Sequence, residues 1–213
     1  MPDNEYVPHA MTPDITAFVL TGGQSLRMGQ DKALLRLRDG ETFLEHAIAA
    51  CSAIAGQVGI VGPRSRYGAY AWAGEIVEDI YPDRGPLGGI HAALSVTRTE
   101  WNIFLAVDLP GVSPALLQWM LQQARSGGKL ITVPSVGGQQ QPLCAVYRPG
   151  FREIAEHALK QNRNKVNGSF PPEETQVITE PEIVTAGFDP VMFTNVNTPE
   201  EFANFGGQRL AKP

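Results

Sequence analysis

The residues with the clearest chemical potential lie in one short stretch near the amino terminus. Three glycines, Gly22, Gly23 and Gly29, accompany two cations, Arg27 and Lys32. Glycines let backbone N–H groups approach an anion closely, and fixed cations neutralise its charge, so the stretch suits a phosphate ester. It is not a Walker A loop, because Lys32 is neither preceded by glycine nor followed by serine or threonine. Taken alone, the glycines fit a plain strand-to-helix turn with surface charges equally well.

A carboxylate at the end of an apolar run is the second candidate group. Asp108 directly follows the apolar residues 103–107 and precedes Pro110, which stops a strand from continuing. A carboxylate at the carboxyl end of a buried strand lies where open α/β sheets bind ligands. Asp108 by itself could simply cap the next turn. Together with a phosphate-binding loop, however, Asp108 indicates a Mg²⁺ site, because Mg²⁺ is usually held by one hard carboxylate and substrate phosphates.

Alternating strands and helices must position these groups. Apolar runs predict strands at residues 17–20, 58–61, 75–77 and 102–107. A helix is predicted from a Thr42 capping box to Gly56, between the first two strands, and another from Ser113 to Gly127, after the fourth. This alternation from residue 15 to 120 indicates βαβ units around a largely parallel sheet.

The second half of the chain departs from this alternation. Residues 129–133 and 143–147 indicate two strands joined by a polar loop with no helix between them, so we expect a mixed sheet. A helix is predicted over 150–159. We assign no element to residues 171–190, which are rich in proline and glutamate. Thr198 and Glu201 form a second capping box, which predicts a final helix.

Length and composition limit the possible classes of protein. With 213 residues, of which 43% are hydrophobic, the chain fits a single domain over residues 15–210, and we expect the polar residues 1–14 to form a mobile tail. A net charge of −5 argues against a nucleic-acid-binding surface. The sequence shows neither a signal-peptide layout nor an apolar run approaching the roughly 20 residues of a membrane span, so we expect a cytoplasmic protein without membrane contact. Cys51 and Cys144 lie in apolar segments, and we expect buried free thiols.

The full pattern around the glycines is more specific than the glycines themselves. Residues 20–35 read LxGGxSxRMGxDKxxL, which resembles the signature loop of the MobA-like nucleotidyltransferases, the molybdenum cofactor guanylyltransferases. Further segments match family motifs in order: GPLGG at 85–89, the Asp-x-Pro element at 108–110, the more variable QPLCAVY at 141–147, and NVNTPEE at 195–201. The resemblance covers about residues 15–205 and is weakest across 160–190.

This resemblance implies a fold and an activity. The fold is a three-layer, Rossmann-like α/β nucleotidyltransferase fold, with a mostly parallel mixed sheet and helices on both faces. The activity is transfer of GMP from GTP to Mo-molybdopterin, with release of pyrophosphate and with Mg²⁺ as cofactor. Transient contact with other molybdenum cofactor biosynthesis proteins would accompany that role. We expect the protein to be a monomer.

The resemblance also implies roles for individual residues. Arg27, Lys32 and Asp108 are the implied catalytic residues, with Asp108 as the metal ligand. The implied nucleotide-binding residues are Leu20, Thr21, Gly22, Gly23, Lys32, Asp79 and Asp108. Asn195 and Asn197, which an extended strand would place on one face, are implied to orient the metal or the acceptor. Residues 162–170 form either a solvated loop or a contact for the pterin phosphate.

Three alternative activities remain. Cytidylyltransferases of the same superfamily typically read LAAG where this chain has LTGG at 20–23; Gly22 favours guanine, whereas Thr21, where alanine is usual, is a departure. A sugar-1-phosphate nucleotidyltransferase has a similar loop but usually a longer chain. A non-catalytic nucleotide-binding regulator is disfavoured because four functional side chains are present together: Arg27, Lys32, Asp79 and Asp108.

Overall fold

The computed structural model describes residues 12–22, 31–37, 40–196 and 201, with only the backbone described at 12 and 13. Within these residues, eight strands form one sheet. The strands are β1 Thr12–Leu20, β2 Ala55–Val61, β3 Glu75–Val77, β4 Trp101–Ala106, β5 Ile131–Val136, β6 Gln139–Gln140, β7 Cys144–Tyr147 and β8 Thr175–Ile178. The helices are α1 Phe43–Ser52, α2 Arg64–Tyr67, α3 Pro86–Val96, α4 Pro114–Gly127, α5 Phe151–Lys160 and α6 Glu180–Thr185. Short 3₁₀ turns occur at Lys32–Leu34, Gly68–Tyr70, Asn167–Ser169, Pro172–Glu174 and Pro190–Phe193.

The strand order is β3-β2-β1-β4-β7-β5-β6, and β8 also pairs with β5. The four strands β3, β2, β1 and β4 run parallel, whereas β7 runs antiparallel to both of its neighbours. The predicted mixed, mostly parallel sheet is therefore confirmed. After β1 the chain builds β2 and β3 on one side of it and then returns to place β4 on the other. A crevice at such a topological switch point is where open α/β sheets bind ligands.

Helices cover both faces of the sheet. Helices α1 and α4 contact each other and the strands from one side, while α3 and α5 contact each other from the opposite side. The central strand β4 is buried along its whole length, as expected for a strand covered on both faces. These contacts confirm the three-layer arrangement.

The register of the parallel strands places their carboxyl ends level. Leu20 pairs with Val61 on one side and with Ala106 on the other, and Val61 pairs with Val77. The residues that follow these four strand ends therefore share one edge of the sheet. This edge holds the candidate site.

Local sequence signals located most element boundaries correctly. The Thr42 capping box is present, because its hydroxyl accepts from the Glu45 N–H at 3.1 Å and the Glu45 carboxylate accepts from the Thr42 N–H at 2.7 Å. Ser113 caps α4 as predicted, and Gly128 follows its last residue in the left-handed region with a φ of 64°. The prediction that Gly56 ends the first helix was wrong, since α1 ends at Ser52 and Gly56 lies inside β2.

The carboxyl-terminal third held elements that we did not assign. β8 and α6 both lie in residues 171–190, and β8 extends the sheet beside β5. A usable signal was present, because Thr179 and Glu182 form a capping box that begins α6. The second predicted box, at Thr198 and Glu201, lies mostly outside the described residues, and the division at residue 15 stays a prediction.

Candidate active site

The site lies along the carboxyl ends of the four parallel strands. Gly22 follows β1, Gly62 follows β2, Asp79 follows β3 and Asp108 follows β4, each within two residues of the strand end. Neighbouring strands are roughly 4.8 Å apart, so the edge from β3 to β4 is about 14 Å long. Two carboxylates thus stand at opposite ends of the edge, with Gly22 and Gly62 between them.

Lys32 and Asp108 meet at the switch point between β1 and β4. Their side chains are 76 residues apart in sequence, yet Lys32 Nζ donates to Asp108 Oδ2 at 3.3 Å. The side chains are 14% and 29% exposed, so both are sheltered but accessible from the crevice. A cation and a carboxylate held together at this position can serve the phosphates and the metal of a bound nucleotide.

Two contacts fix the turn that carries Asp108. The backbone N–H of Val196 donates to the Asp108 carbonyl oxygen at 2.8 Å, and His46 Nε2 lies 3.1 Å from the carbonyl oxygen of Pro110. The first contact places the described part of the NVN motif, Asn195 and Val196, against the metal-ligand candidate. Asn195 is exposed beside it. The strand considered for this motif is not formed over 194–196, because Val196 bonds to the Asp108 turn instead of to a neighbouring strand.

Asp79 lies against the start of α3. A Cβ atom built on Gly89 would lie 3.5 Å from Asp79 Oδ1 and 2.9 Å from Cγ1 of Val61, so a larger residue would crowd both. The glycines of GPLGG therefore serve close packing and a close approach to this carboxylate at the same time. Partial burial, followed by the nearby Asp83 charge, raises the pKa of Asp79.

The structure explains the unusual Thr21. Its hydroxyl donates to the carbonyl oxygen of Val61 at 2.8 Å, and the residue is only 5% exposed. The Thr21 side chain therefore points into the fold instead of toward a ligand in the crevice. Gly22 follows with a φ of 89°, a left-handed conformation that glycine adopts without strain.

Asp31, Tyr67 and Arg66 form a cluster that sequence reasoning missed. The Tyr67 hydroxyl donates to Asp31 Oδ2 at 2.8 Å, and Arg66 approaches the same oxygen at 3.7 Å. Asp31 Oδ1 accepts from the backbone N–H of Ala33 at 3.1 Å and so caps the 3₁₀ turn that carries Lys32. An aspartate before Lys-Ala-Leu is a detectable cap signal, but nothing local links it to Tyr67, 36 residues away.

The loop considered for the pterin phosphate borders a separate cavity. Arg163 lines a surface cavity of about 460 Å³ together with Glu153, His157 and Phe170. Another side of α5 faces the loop after β3, where Glu156 accepts from the Tyr81 hydroxyl at 3.0 Å. The solvated-loop and ligand-contact interpretations of this segment both stay predictions.

The described residues bring together most of the candidate site. Leu20, Thr21, Gly22, Lys32, Asp79, Asp108 and Asn195 line or border the same edge, whereas Gly23, Arg27 and Asn197 lie outside the described residues. Among the described residues, no group of three or more histidine, cysteine, aspartate or glutamate side chains could hold a metal ion. None of the described helices has the length and apolar character to cross a membrane.

Comparison with known proteins gives a consistent set of relatives. A family model described as a MobA-like NTP transferase domain matches residues 17–169. A probable molybdenum cofactor guanylyltransferase from Pelotomaculum thermopropionicum is 33% identical over 186 residues, covering 87% of this chain and 89% of the relative. A molybdenum cofactor guanylyltransferase from Vibrio parahaemolyticus is 30% identical over 203 residues, covering 92% and 97%.

Solved structures agree on the fold. Molybdopterin-guanine dinucleotide biosynthesis protein A from Archaeoglobus fulgidus superposes with a TM-score of 0.76 at 22% identity, covering 92% of this chain and 100% of that one. A 2-C-methyl-D-erythritol 4-phosphate cytidylyltransferase from Thermus thermophilus has a TM-score of 0.62 at 14% identity, covering 91% and 98%. Together with the match over most of the sequence, the strand order and the motifs along one edge, these findings show that the chain belongs to the MobA-like NTP transferase family of nucleotidyltransferases.

Proposed function

We propose that this protein is a molybdenum cofactor guanylyltransferase, which transfers GMP from GTP to Mo-molybdopterin and releases pyrophosphate. Curated relatives that carry this activity in their names align over most of the chain. The single observation that carries the proposal is the meeting of Lys32 and Asp108 at the switch point, 3.3 Å apart. This contact brings the lysine that follows the glycines next to the aspartate of the Asp-x-Pro element. A cation beside a carboxylate suits a nucleoside triphosphate and its metal.

The nucleotide extends along the strand edge in this proposal. The backbone around Leu20, Thr21 and Gly22 contacts the base, since the Thr21 side chain is turned inward and leaves the backbone to face the crevice. Asp79, at the β3 end, acts together with this backbone to position the base and the ribose. Lys32 contacts the phosphates at the β4 end, and Gly23 and Arg27 contribute from outside the described residues.

Asp108 is the proposed ligand of a divalent metal, and we propose Mg²⁺. Nucleotidyltransferases in general use a divalent metal, and the residues present fit Mg²⁺, which is commonly bound by one carboxylate together with substrate phosphates. When bound, the ion neutralises phosphate charge and orients the triphosphate for in-line attack. Val196 bonds to the Asp108 turn, and its sequence neighbours Asn195 and Asn197 are the proposed residues that orient the metal or the acceptor.

The transfer itself needs positioning and charge neutralisation more than a general base. An acceptor phosphate oxygen, already ionised at neutral pH, forms a bond to the α-phosphorus of GTP while the bond to pyrophosphate breaks. The bound triphosphate attracts the Lys32 ammonium away from Asp108, and the ammonium then neutralises part of the phosphate charge. Lys32 and Arg27 then stabilise the charge that develops on the leaving pyrophosphate.

The proposal is tested with variants at the ion pair. We expect Asp108→Ala and Lys32→Ala each to reduce turnover by on the order of 10²–10³ without unfolding the chain, as for removal of one charge-stabilising contact. Pyrophosphate release with GTP and molybdopterin measures turnover. Matched controls are Asp14→Ala and Lys129→Ala, which remove surface contacts to Arg125 and to the Glu173 carbonyl oxygen. Near-normal turnover in either site variant would overturn the mechanism.

Calorimetry identifies the nucleotide. GTP, CTP, ATP and UTP are titrated with Mg²⁺ into the wild type and into Asp108→Ala. A preference for GTP that weakens in the variant supports guanylyl transfer. A preference for CTP would assign the protein to the cytidylyltransferases, and nucleotide binding without pyrophosphate release would favour a non-catalytic regulator.

A further inference from the structure

Tyr67 contacts the two described ends of the glycine-rich segment. It lies in α2, 1% exposed, and its hydroxyl donates to Asp31 at the far end of that segment. At the near end, the Thr21 hydroxyl, which donates to the Val61 carbonyl oxygen, lies beside the Tyr67 ring next to Gly62. One buried side chain thus adjoins both Thr21 and Asp31, the residues that flank 22–30 in the sequence.

The packing of Thr21 and Tyr67 leaves room only for glycine at position 62. A Cβ atom built on Gly62 would lie 2.4 Å from Oγ1 of Thr21 and 2.7 Å from the Tyr67 ring. Contacts below 3.0 Å force a neighbour to move, so only glycine at 62 leaves both side chains in place. The threonine, the glycine and the tyrosine therefore form one packed unit at the carboxyl ends of β1 and β2.

The link continues from Tyr67 to the candidate catalytic lysine. Asp31 is 18% exposed and uses its two carboxylate oxygens separately, Oδ2 for Tyr67 and Oδ1 for the Ala33 N–H. The second bond begins the 3₁₀ turn Lys32–Leu34. The orientation of Asp31 therefore determines where the turn starts, and with it the direction of Lys32 toward Asp108.

We propose that Tyr67 is a positioning residue for nucleotidyl transfer, which orients Asp31 and through it Lys32, with Arg66 supporting the same carboxylate. This inference rests on the proposed role of Lys32 at the nucleotide phosphates. Tyr67 acts through other residues and does not itself contact the reacting atoms. Burial raises the pKa of Tyr67 to about 12, so its hydroxyl remains a donor at neutral pH.

The test removes only the hydroxyl group. In Tyr67→Phe we expect kcat/KM for GTP to fall about ten- to hundredfold, as expected for loss of a hydrogen bond to a charged group. The loss should lie mainly in kcat, because Lys32 acts on charge that grows in the transition state. Tyr70→Phe, three residues further along, is the matched control and should retain the wild-type kinetic constants and melting temperature.

A structural readout separates this inference from the proposed function. Hydrogen exchange of the Ala33 amide, followed by NMR without nucleotide, should be faster in Tyr67→Phe, because its acceptor Asp31 is no longer fixed. Unchanged exchange at Ala33, or wild-type kcat and KM, would overturn the inference. If the wild type shows no turnover with GTP, the proposed function fails, and exchange at Ala33 alone then decides whether Tyr67 positions the turn.

A second variant covers the case in which Tyr67→Phe does not fold. Asp31→Asn keeps the tyrosine but replaces one of the two accepting carboxylate oxygens with an NH2 group, which donates and cannot accept, so Tyr67 and the Ala33 N–H no longer both have an acceptor, and we expect the same kcat loss. Combining the two substitutions should cost no more than the larger single loss, since both interrupt one path. Additive losses would contradict a path through Asp31.

Discussion

His91 is a polar side chain in an otherwise apolar part of α3. It is 3% exposed, and neither ring nitrogen has a hydrogen-bond partner among the described residues. The Tyr81 and His91 rings pack in an edge-to-face arrangement with centroids 5.2 Å apart. Three charged side chains of α5 act electrostatically on His91: Glu156, Arg152 and Lys160. Burial disfavours the charged imidazolium and lowers the pKa of His91, with the Glu156 charge opposing that shift.

This burial makes stability depend on pH in a defined direction. A histidine whose pKa is lower in the folded state than in the unfolded state binds a proton more tightly when the protein is unfolded. Unfolding is therefore coupled to uptake of a proton. The free energy of unfolding should therefore fall as pH drops below the unfolded value of about 6.5, by at most roughly 1.4 kcal/mol per pH unit for one proton. Urea unfolding of the wild type and His91→Leu between about pH 8 and about pH 5.5 measures this effect. Parallel pH profiles would show that His91 does not contribute.

At the scale of elements, the amino-terminal cap of α1 stabilises the helix that follows the Lys32 turn. The capping box of α1 satisfies backbone groups at the point where the chain returns from the Lys32 turn to the sheet. Hydrogen bonds from the Thr42 backbone and hydroxyl lower the pKa of Glu45. The ionised Glu45 carboxylate therefore stabilises α1 at pH values above the ordinary pKa of glutamate. This contribution is lost as the pH falls through the lowered pKa.

Removal of the Thr42 hydroxyl tests the contribution of this cap. We expect Thr42→Ala to lower the free energy of unfolding by about 1 kcal/mol, because the first turn of α1 loses an acceptor and Glu45 loses a donor. Urea unfolding at neutral pH gives the value. Thr185→Ala is the control, since Thr185 is exposed at the end of α6 and bonds only to the Pro181 carbonyl oxygen among the described contacts. Equal effects of the two substitutions would contradict the cap's role.

At the scale of the whole molecule, the core joins the two halves of the sheet. Phe104 of β4 stacks near Phe18 of the parallel half and meets the Tyr147 ring of the antiparallel half edge-on. The two cysteines lie in this core, and both are free and buried as predicted. Burial raises the pKa of Cys51 to about 12 and raises the pKa of Cys144 well above its usual range.

The thiols should therefore report unfolding of the whole domain. The thiolate is the reactive form, and neither cysteine is accessible or ionised in the folded protein. We expect no rapid reaction with an aromatic disulfide reagent in the native state and modification of both thiols in guanidinium chloride. Following the reaction against circular dichroism shows whether both signals change together. A thiol that reacts quickly in the native protein would contradict the packing at that position.

The sequence by itself determined the local chemistry and the order of elements. The motifs predict that Lys32, Asp79 and Asp108 belong to one site, and their roles stay a prediction. The apolar runs located β1 to β4, and the cap signals located the starts of α1 and α4. The predictions of these elements succeeded because strand hydrophobicity and helix capping depend on residues close together in the chain. The same local reasoning explains the wrong end at Gly56: a glycine locally favours a helix end, whereas β2 forms by pairing with β1, which is distant in the sequence.

Only the tertiary structure decided which distant groups meet. The strand register brings Lys32 to Asp108 across 76 positions, and the packing of α2 brings Tyr67 to Asp31. It also showed that Thr21 points inward, so its departure from alanine is structural. Such contacts depend on the level ends of β1, β2 and β4 and on the room left by Gly62, which are properties of packing between segments that no single segment encodes.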